Sequence, residues 1–153
     1  MKPTRVFLKQ LLLAIVLVLI PNAAGFAQGN PAAPPRVVLT GHDPVAYFTD
    51  GRPVKGSPQF SVDWDEGRYH FASARHRDMF AAEPDRYAPR FDGYCTGSMA
   101  KAVRLEGDPE AWIIVDGRLY VFGQVKFRDI AAKDREGLKV QIAAANTNWR
   151  EKK

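Results

Sequence analysis

The chain has 153 residues, 22 Lys and Arg against 17 Asp and Glu, and a single cysteine. That length suits one ordinary domain and not two. One cysteine excludes an internal disulfide and argues against a dithiol redox centre, and the absence of a dense basic stripe argues against a nucleic-acid binder.

The first elements are not those of a domain. Lys2, Arg5 and Lys9 precede the apolar run 11–20, "LLLAIVLVLI"; Pro21 ends it, and Gly25-Phe26-Ala27 supplies small residues for cleavage. This order of basic, apolar and small residues predicts a secretory signal peptide over 1–27, cut after Ala27, with an uncleaved anchor as the alternative. The run is short of the roughly 20 residues a spanning helix needs, so no membrane association is expected after cleavage. No twin-arginine pair precedes it, and the only cysteine lies far downstream, so lipid attachment at a new N-terminus is excluded. Removing 1–27 takes away three basic residues and no acidic one, leaving 19 against 17 and a net charge of +2. The mature protein is expected in the periplasm or secreted. In such an oxidising compartment a lone thiol is buried, ligated or open to another molecule.

Residues 28–36, "QGNPAAPPR", have little to bury and read as a disordered leader. Residues 37–149 read as one domain with no internal repeat. It opens with a short strand-like piece, "VVLT", turned by Gly41 and Asp43-Pro44. Phe60, Val62 and Trp64 alternate on one face of a strand, 65–67 turn the chain, and Tyr69 and Phe71 return inward. Ser73 is placed to cap a helix running to about Glu83, which Pro84 stops. A short helix is expected from Tyr94 to about Ala102. A second hairpin follows, "AWIIV" and "RLYVF" joined by Asp116-Gly117, a pair that tolerates positive φ at both centres. The last helix is expected over 129–145, with Leu138, Ile142, Ala145 and Trp149 on one stripe. The mixture lacks a regular βαβ rhythm and predicts an α+β domain with antiparallel hairpins and three helices. The aromatic residues Trp64, Phe71, Phe80, Tyr94, Trp112 and Trp149 are expected in its core.

Tyr69-His70-Phe71-Ala72-Ser73, together with Asp43-Pro44-Val45, Met79-Phe80 and Pro84-Asp85-Arg86-Tyr87, resembles the YHS domain family. A closer resemblance is to small exported bacterial YHS-domain proteins. It covers six ordered segments over about 110 residues: "GHDPVAYF", "GSPQFSV", "YHFASARHRDMF", "DRYAPRFDGYC", "DPEAWIIVDGRLY" and "AANTNW". The resemblance implies a metal held by soft thiolates in some members. This chain departs at each of those positions, with Ala46, Ala72 and His76 in place of the three cysteines. A methyl group donates nothing to a metal.

Four groups remain as candidate metal ligands: Cys95, Met99, His42 and His76. Met99 lies one helical turn beyond Cys95, and a thiolate with a thioether suits Cu(I). Each imidazole adds a harder nitrogen donor. His70 alternates with Tyr69 and Phe71 and is expected to face away from the core. Plainer roles stand beside these: Cys95 as a small buried hydrophobe, Met99 as core filler. No Ser-His-Asp order, phosphate loop or His-Glu-x-x-His is present. The sequence therefore points to an exported non-enzymatic protein that binds or buffers a soft metal such as copper. The alternative is an accessory module for an unidentified exported protein, its metal site decayed; a third reading is a thiol enzyme using Cys95. Mass spectrometry of the protein from its native host should find an N-terminus near Gln28. An intact Met1 terminus in a membrane fraction would contradict the cleaved signal.

Overall fold

The computed structural model describes residues 33–151. The predicted signal peptide lies outside them. So does most of the expected leader, but its last residue, Arg36, belongs to the domain, because it opens a strand. That strand, β1 (Arg36–Val37), runs parallel to β3 (Gly67–Phe71), and β3 pairs antiparallel with β2 (Ser57–Trp64). On β3, Gly67, Tyr69 and Phe71 are buried, while Arg68 and His70 between them are half-exposed. This is the alternation of a strand with one face on a core.

The expected strand at "VVLT" is cut short. Leu39 and Thr40 take φ of +51° and +48°, so the chain turns through the left-handed region instead of extending. After this turn come α1 (Ala46–Thr49), α2 (Ala74–Ala82) and α3 (Pro84–Tyr87). The Ser73 hydroxyl accepts from the His76 backbone N–H and caps α2 as its residue type predicts. Pro84 does end α2, but it also opens α3, where its missing N–H is no loss.

The second half of the chain holds α4 (Thr96–Met99), the hairpin β4 (Asp108–Val115) with β5 (Arg118–Phe122), then α5 (Val125–Lys133) and α6 (Arg135–Glu151). Ile114 faces Leu119 across the Asp116-Gly117 turn, whose residues have φ of +50° and +70°. The helix expected over 94–102 is shorter, and the one expected over 129–145 is two helices. Asp134 separates them: its backbone leaves the helical region, and its carboxylate accepts from Gly137 N–H at the start of α6. With α1 and α3 added, six α-helices rather than three stand among the described residues. The α+β class is as expected, with one sheet ordered β1-β3-β2 and a second of β4 and β5.

The two halves are copies of one unit, a repeat that the sequence reading missed. Elements starting at 57, 67, 74 and 84 recur at 108, 118, 125 and 135. Strand registers match pair for pair, and both hairpins shift register at the same place, between Ser57 and Ser61 and between Asp108 and Trp112. The left-handed turn at Leu39-Thr40-Gly41 recurs at Phe91-Asp92-Gly93. Loop bonds repeat as well: Asp43 N to Val54 O and Gly56 N to Gly41 O become Cys95 N to Leu105 O and Gly107 N to Gly93 O. Identical residues are sparse, among them Gly56/Gly107, Pro58/Pro109, Tyr69/Tyr120, Phe71/Phe122 and Arg77-Asp78/Arg128-Asp129.

Each half builds its own core, and β5 serves both. Leu119 and Val121 join Val38, Val45, Tyr69, Phe71 and Phe80, whereas Tyr120 and Phe122 face Phe91, Met99, Leu138 and Ala145. Ile142 and Trp149 pack on this second core, so the predicted stripe of α6 is the buried one. Of the expected core aromatics, Phe71 and Phe80 are fully buried, and the other four pack against one core or the other. Across the halves, Tyr47 OH donates to Pro109 O at 3.1 Å, and Arg36 pairs with Glu106 at 2.9 Å and donates to Asp92 O.

Gly107 is fixed by close approach: a Cβ there would stand 2.4 Å from Val121 Cγ2 and 2.7 Å from Gly93 O. Gly107→Ala should therefore lower stability by about 1–3 kcal/mol in a urea titration. Gly117 has open space around it, so Gly117→Val should cost about 1 kcal/mol through its positive φ alone. An unchanged midpoint for either variant would contradict the packing or the turn.

Candidate functional site

The first half centres on one carboxylate. Asp43 is fully buried. Its Oδ1 accepts from Val45 N at 2.8 Å and Ala46 N at 3.4 Å, and its Oδ2 accepts from Ala72 N at 2.8 Å. Oδ2 also lies 2.7 Å from His76 Nδ1. A buried carboxylate tolerates loss of water only when its lone pairs are filled in this way. Three elements are thereby tied at one point: α1, the end of β3, and α2. A carboxylate can only accept, so the contact sets a proton on His76 Nδ1 and orients the ring, and Nε2 lies 3.5 Å from Thr49 Oγ1.

The corresponding place in the second half is built differently. The turn offset puts Cys95 where Asp43 stands, and the hairpin offset puts Phe127 where His76 stands. Gly97 replaces Val45 and Gly123 replaces Ala72. Smaller residues around the thiol leave a groove of about 690 Å³, walled by Phe122, Phe127, Ile130, Leu138, Val103 and Leu105, with Gln141 beside Gly97. Cys95 itself is 8% exposed and lies in the groove lining.

The four expected ligands are distributed over these two places. His76 is engaged by Asp43, and His42 turns Nδ1 to Leu39 O at 3.0 Å. Met99 is fully buried in the second core, and Cys95 lies at the groove. Among the described residues, no three His, Cys, Asp or Glu side chains stand where they could hold one metal ion. His70 is half-exposed, as its place in the strand predicts, and burial with the charges of Arg68 and Lys55 pushes its pKa down. Burial pushes the phenols of Tyr47 and Tyr69 up, so both remain un-ionised.

Sequence reasoning read Asp43 as a turn former and missed its four donors, which come from three separate elements. It also missed Gln141, Gly97 and Gly123. Only alignment of the two halves against each other exposes the last two, as glycines where the first half has side chains. The chain matches no family model, no curated protein and no solved structure. No helix among the described residues is long and apolar enough to cross a membrane.

Asp43→Ala should destabilise by about 3 kcal/mol or more, because it removes the acceptor of three N–H groups and an imidazole in a dry place. His76→Ala leaves the backbone donors satisfied and should cost less. Urea titrations of both variants check the order, and equal small losses would contradict the buried network.

Proposed function

We propose that this chain is an exported accessory module that works by binding rather than catalysis, built on a YHS-like unit whose metal site has decayed. One observation carries the reading. Ala46, Ala72 and His76, the three positions where the resemblance expects thiolates, converge on Asp43 although 26 and 4 residues separate them in turn. That three positions so far apart in sequence meet at one carboxylate supports reading them as the remnant of a single site, now without thiolates. The groove of the second half, apolar and open, is then the surface through which the module binds. Export rests on the order of basic, apolar and small residues in 1–27.

A second reading keeps a soft metal, with copper held by Cys95. It is favoured by the place of the sulfur in the groove lining, where an incoming ion would reach it. Metal analysis separates the two. After dialysis against Cu(I), residues 28–153 should retain well under one copper per chain, with no difference for Cys95→Ala. Restoring thiolates with Ala46→Cys and Ala72→Cys together should create uptake of about one soft metal ion per chain. Stoichiometric copper in the unaltered protein, lost in Cys95→Ala, would overturn the accessory reading in favour of the metal one.

A further inference from the structure

The groove beside Cys95 is bounded by α5, α6 and the segment after α4. Phe127, Ile130 and Ala131 line it from α5 at i, i+3 and i+4, one face of that helix, and Leu138 lines it from α6. Gly123 leaves room above the sulfur: a Cβ there would meet only Cys95 Sγ, at 3.8 Å. The rim is exposed as well as apolar, since Ile130 is 63% and Leu105 58% exposed. Apolar side chains clustered at the mouth of a concavity mark a binding place, where isolated exposed ones do not.

The charges around this mouth define what the place takes. The carboxylates beside it are engaged. Glu106 pairs with Arg36 at 2.9 Å, Asp129 pairs with Arg128 at 2.7 Å, and Asp134 accepts from Gly137 N–H at 2.9 Å on the positive end of α6. The ammonium groups are not engaged in this way. Lys101 lines the groove itself. Lys126 holds its Nζ 5.1 Å from the ring centroid of Phe127, which is part of the groove wall. Lys133 shares the outer face of α5 with Lys126 and Ile130, at i, i+4 and i+7. All three lysines are exposed, and among the described residues none of them forms an ion pair. An apolar concavity under a collar of unpaired cations is complementary to a molecule with an apolar body and a negative head.

We infer that the groove takes a free single-chain amphiphile with an anionic head, of the chemistry of a fatty-acid carboxylate. Its hydrocarbon chain lies along Phe127, Ile130 and Leu105 over the Cys95 sulfur. Its head stays at the mouth among Lys101, Lys126 and Lys133, whose flexible stems reach it while water still hydrates the charges. The volume, about 690 Å³, lies within the range of small-molecule sites. The occupant is a free molecule and not a bilayer, because the apolar lining is recessed: a bilayer surface would meet the rim and leave the floor uncovered. This rests on the accessory reading, in which the groove is the working surface, and names the class of molecule that surface takes.

The test titrates dodecanoate, below its micelle concentration, into residues 28–153 by calorimetry, beside dodecyltrimethylammonium, which has the same chain and a cationic head. One dodecanoate should bind per chain, and the cationic analogue should bind more weakly by about tenfold or more. Lys101→Gln, Lys126→Gln and Lys133→Gln together change exposed positions, so the fold is kept; they should weaken dodecanoate and erase the preference between heads. Ile130→Asp should weaken both amphiphiles. No saturable dodecanoate binding, equal affinity for the two heads, or full affinity in the lysine or Ile130 variants overturns the proposal. So does sedimentation with phosphatidylglycerol vesicles in place of dodecanoate binding, which would make the partner a bilayer. If dodecanoate fails while copper is also not retained, the accessory reading stands and only the class of occupant is wrong. Copper uptake lost in Cys95→Ala would instead remove the accessory reading itself.

Discussion

The buried carboxylate of Asp43 is the constraint from which the first half follows. Removing a charged carboxylate from water is unfavourable by several kcal/mol unless donors replace the lost hydration. Here the donors are Val45 and Ala46 N–H at the start of α1, Ala72 N–H at the end of β3, and the His76 ring on α2. None of the three elements can move without unsatisfying it. The left-handed turn at Leu39-Thr40-Gly41 delivers Asp43 to this point, and the bond from Gly56 N to Gly41 O holds the turn against β2. In this half a polar centre organises the local backbone, and the core closes around it.

The second copy of the unit lacks that centre. Cys95 needs no set of donors, and the loop is held by other bonds. Thr96 Oγ1 donates to Val121 O at 3.0 Å, Ser98 Oγ to Cys95 O at 2.8 Å, and Asn148 Nδ2 to Met99 O at 2.8 Å. The last of these comes from α6, which has no counterpart of its length in the first half, where α3 ends at Tyr87. A longer helix has taken over the task of the carboxylate, and the space around residue 95 is released from structural duty. The first half keeps a closed, fixed centre, and the second carries an open one. β5 joins them, because alternate side chains of one strand belong to different cores.

Much of the fold was legible because its signals are local. Period-two alternation at Phe60-Val62-Trp64, the Ser73 cap and the Asp116-Gly117 turn each act over a few residues, and each led to the element found. The break at Asp134 was not legible, since the acidic residue caps α6 through Gly137 N–H three residues on and no proline marks it. The duplication was hidden because what it conserves is strand register, left-handed turns and loop bonds. Those are backbone properties that many side chains satisfy. The residues that drew attention as chemistry, His76 and Cys95, have no counterpart of their own type in the other copy, where Phe127 and Asp43 stand. The site was legible only in part for the same reason: Cys95 stood out as a lone thiol, whereas the glycines beside it look unremarkable until their counterparts are set against them.

The central claim is that residue 95 opens to incoming molecules while the matching place at residue 43 is sealed. The rate at which Cys95 reacts with a small aromatic disulfide reagent, measured under native conditions and compared with the rate of global unfolding, tests it most directly. Reaction well ahead of unfolding, with the thiol of an Asp43→Cys, Cys95→Ala variant protected while that variant stays folded, is the predicted result. Reaction of Cys95 only at the unfolding rate would show that the thiol is sealed too, and the groove would lose its role.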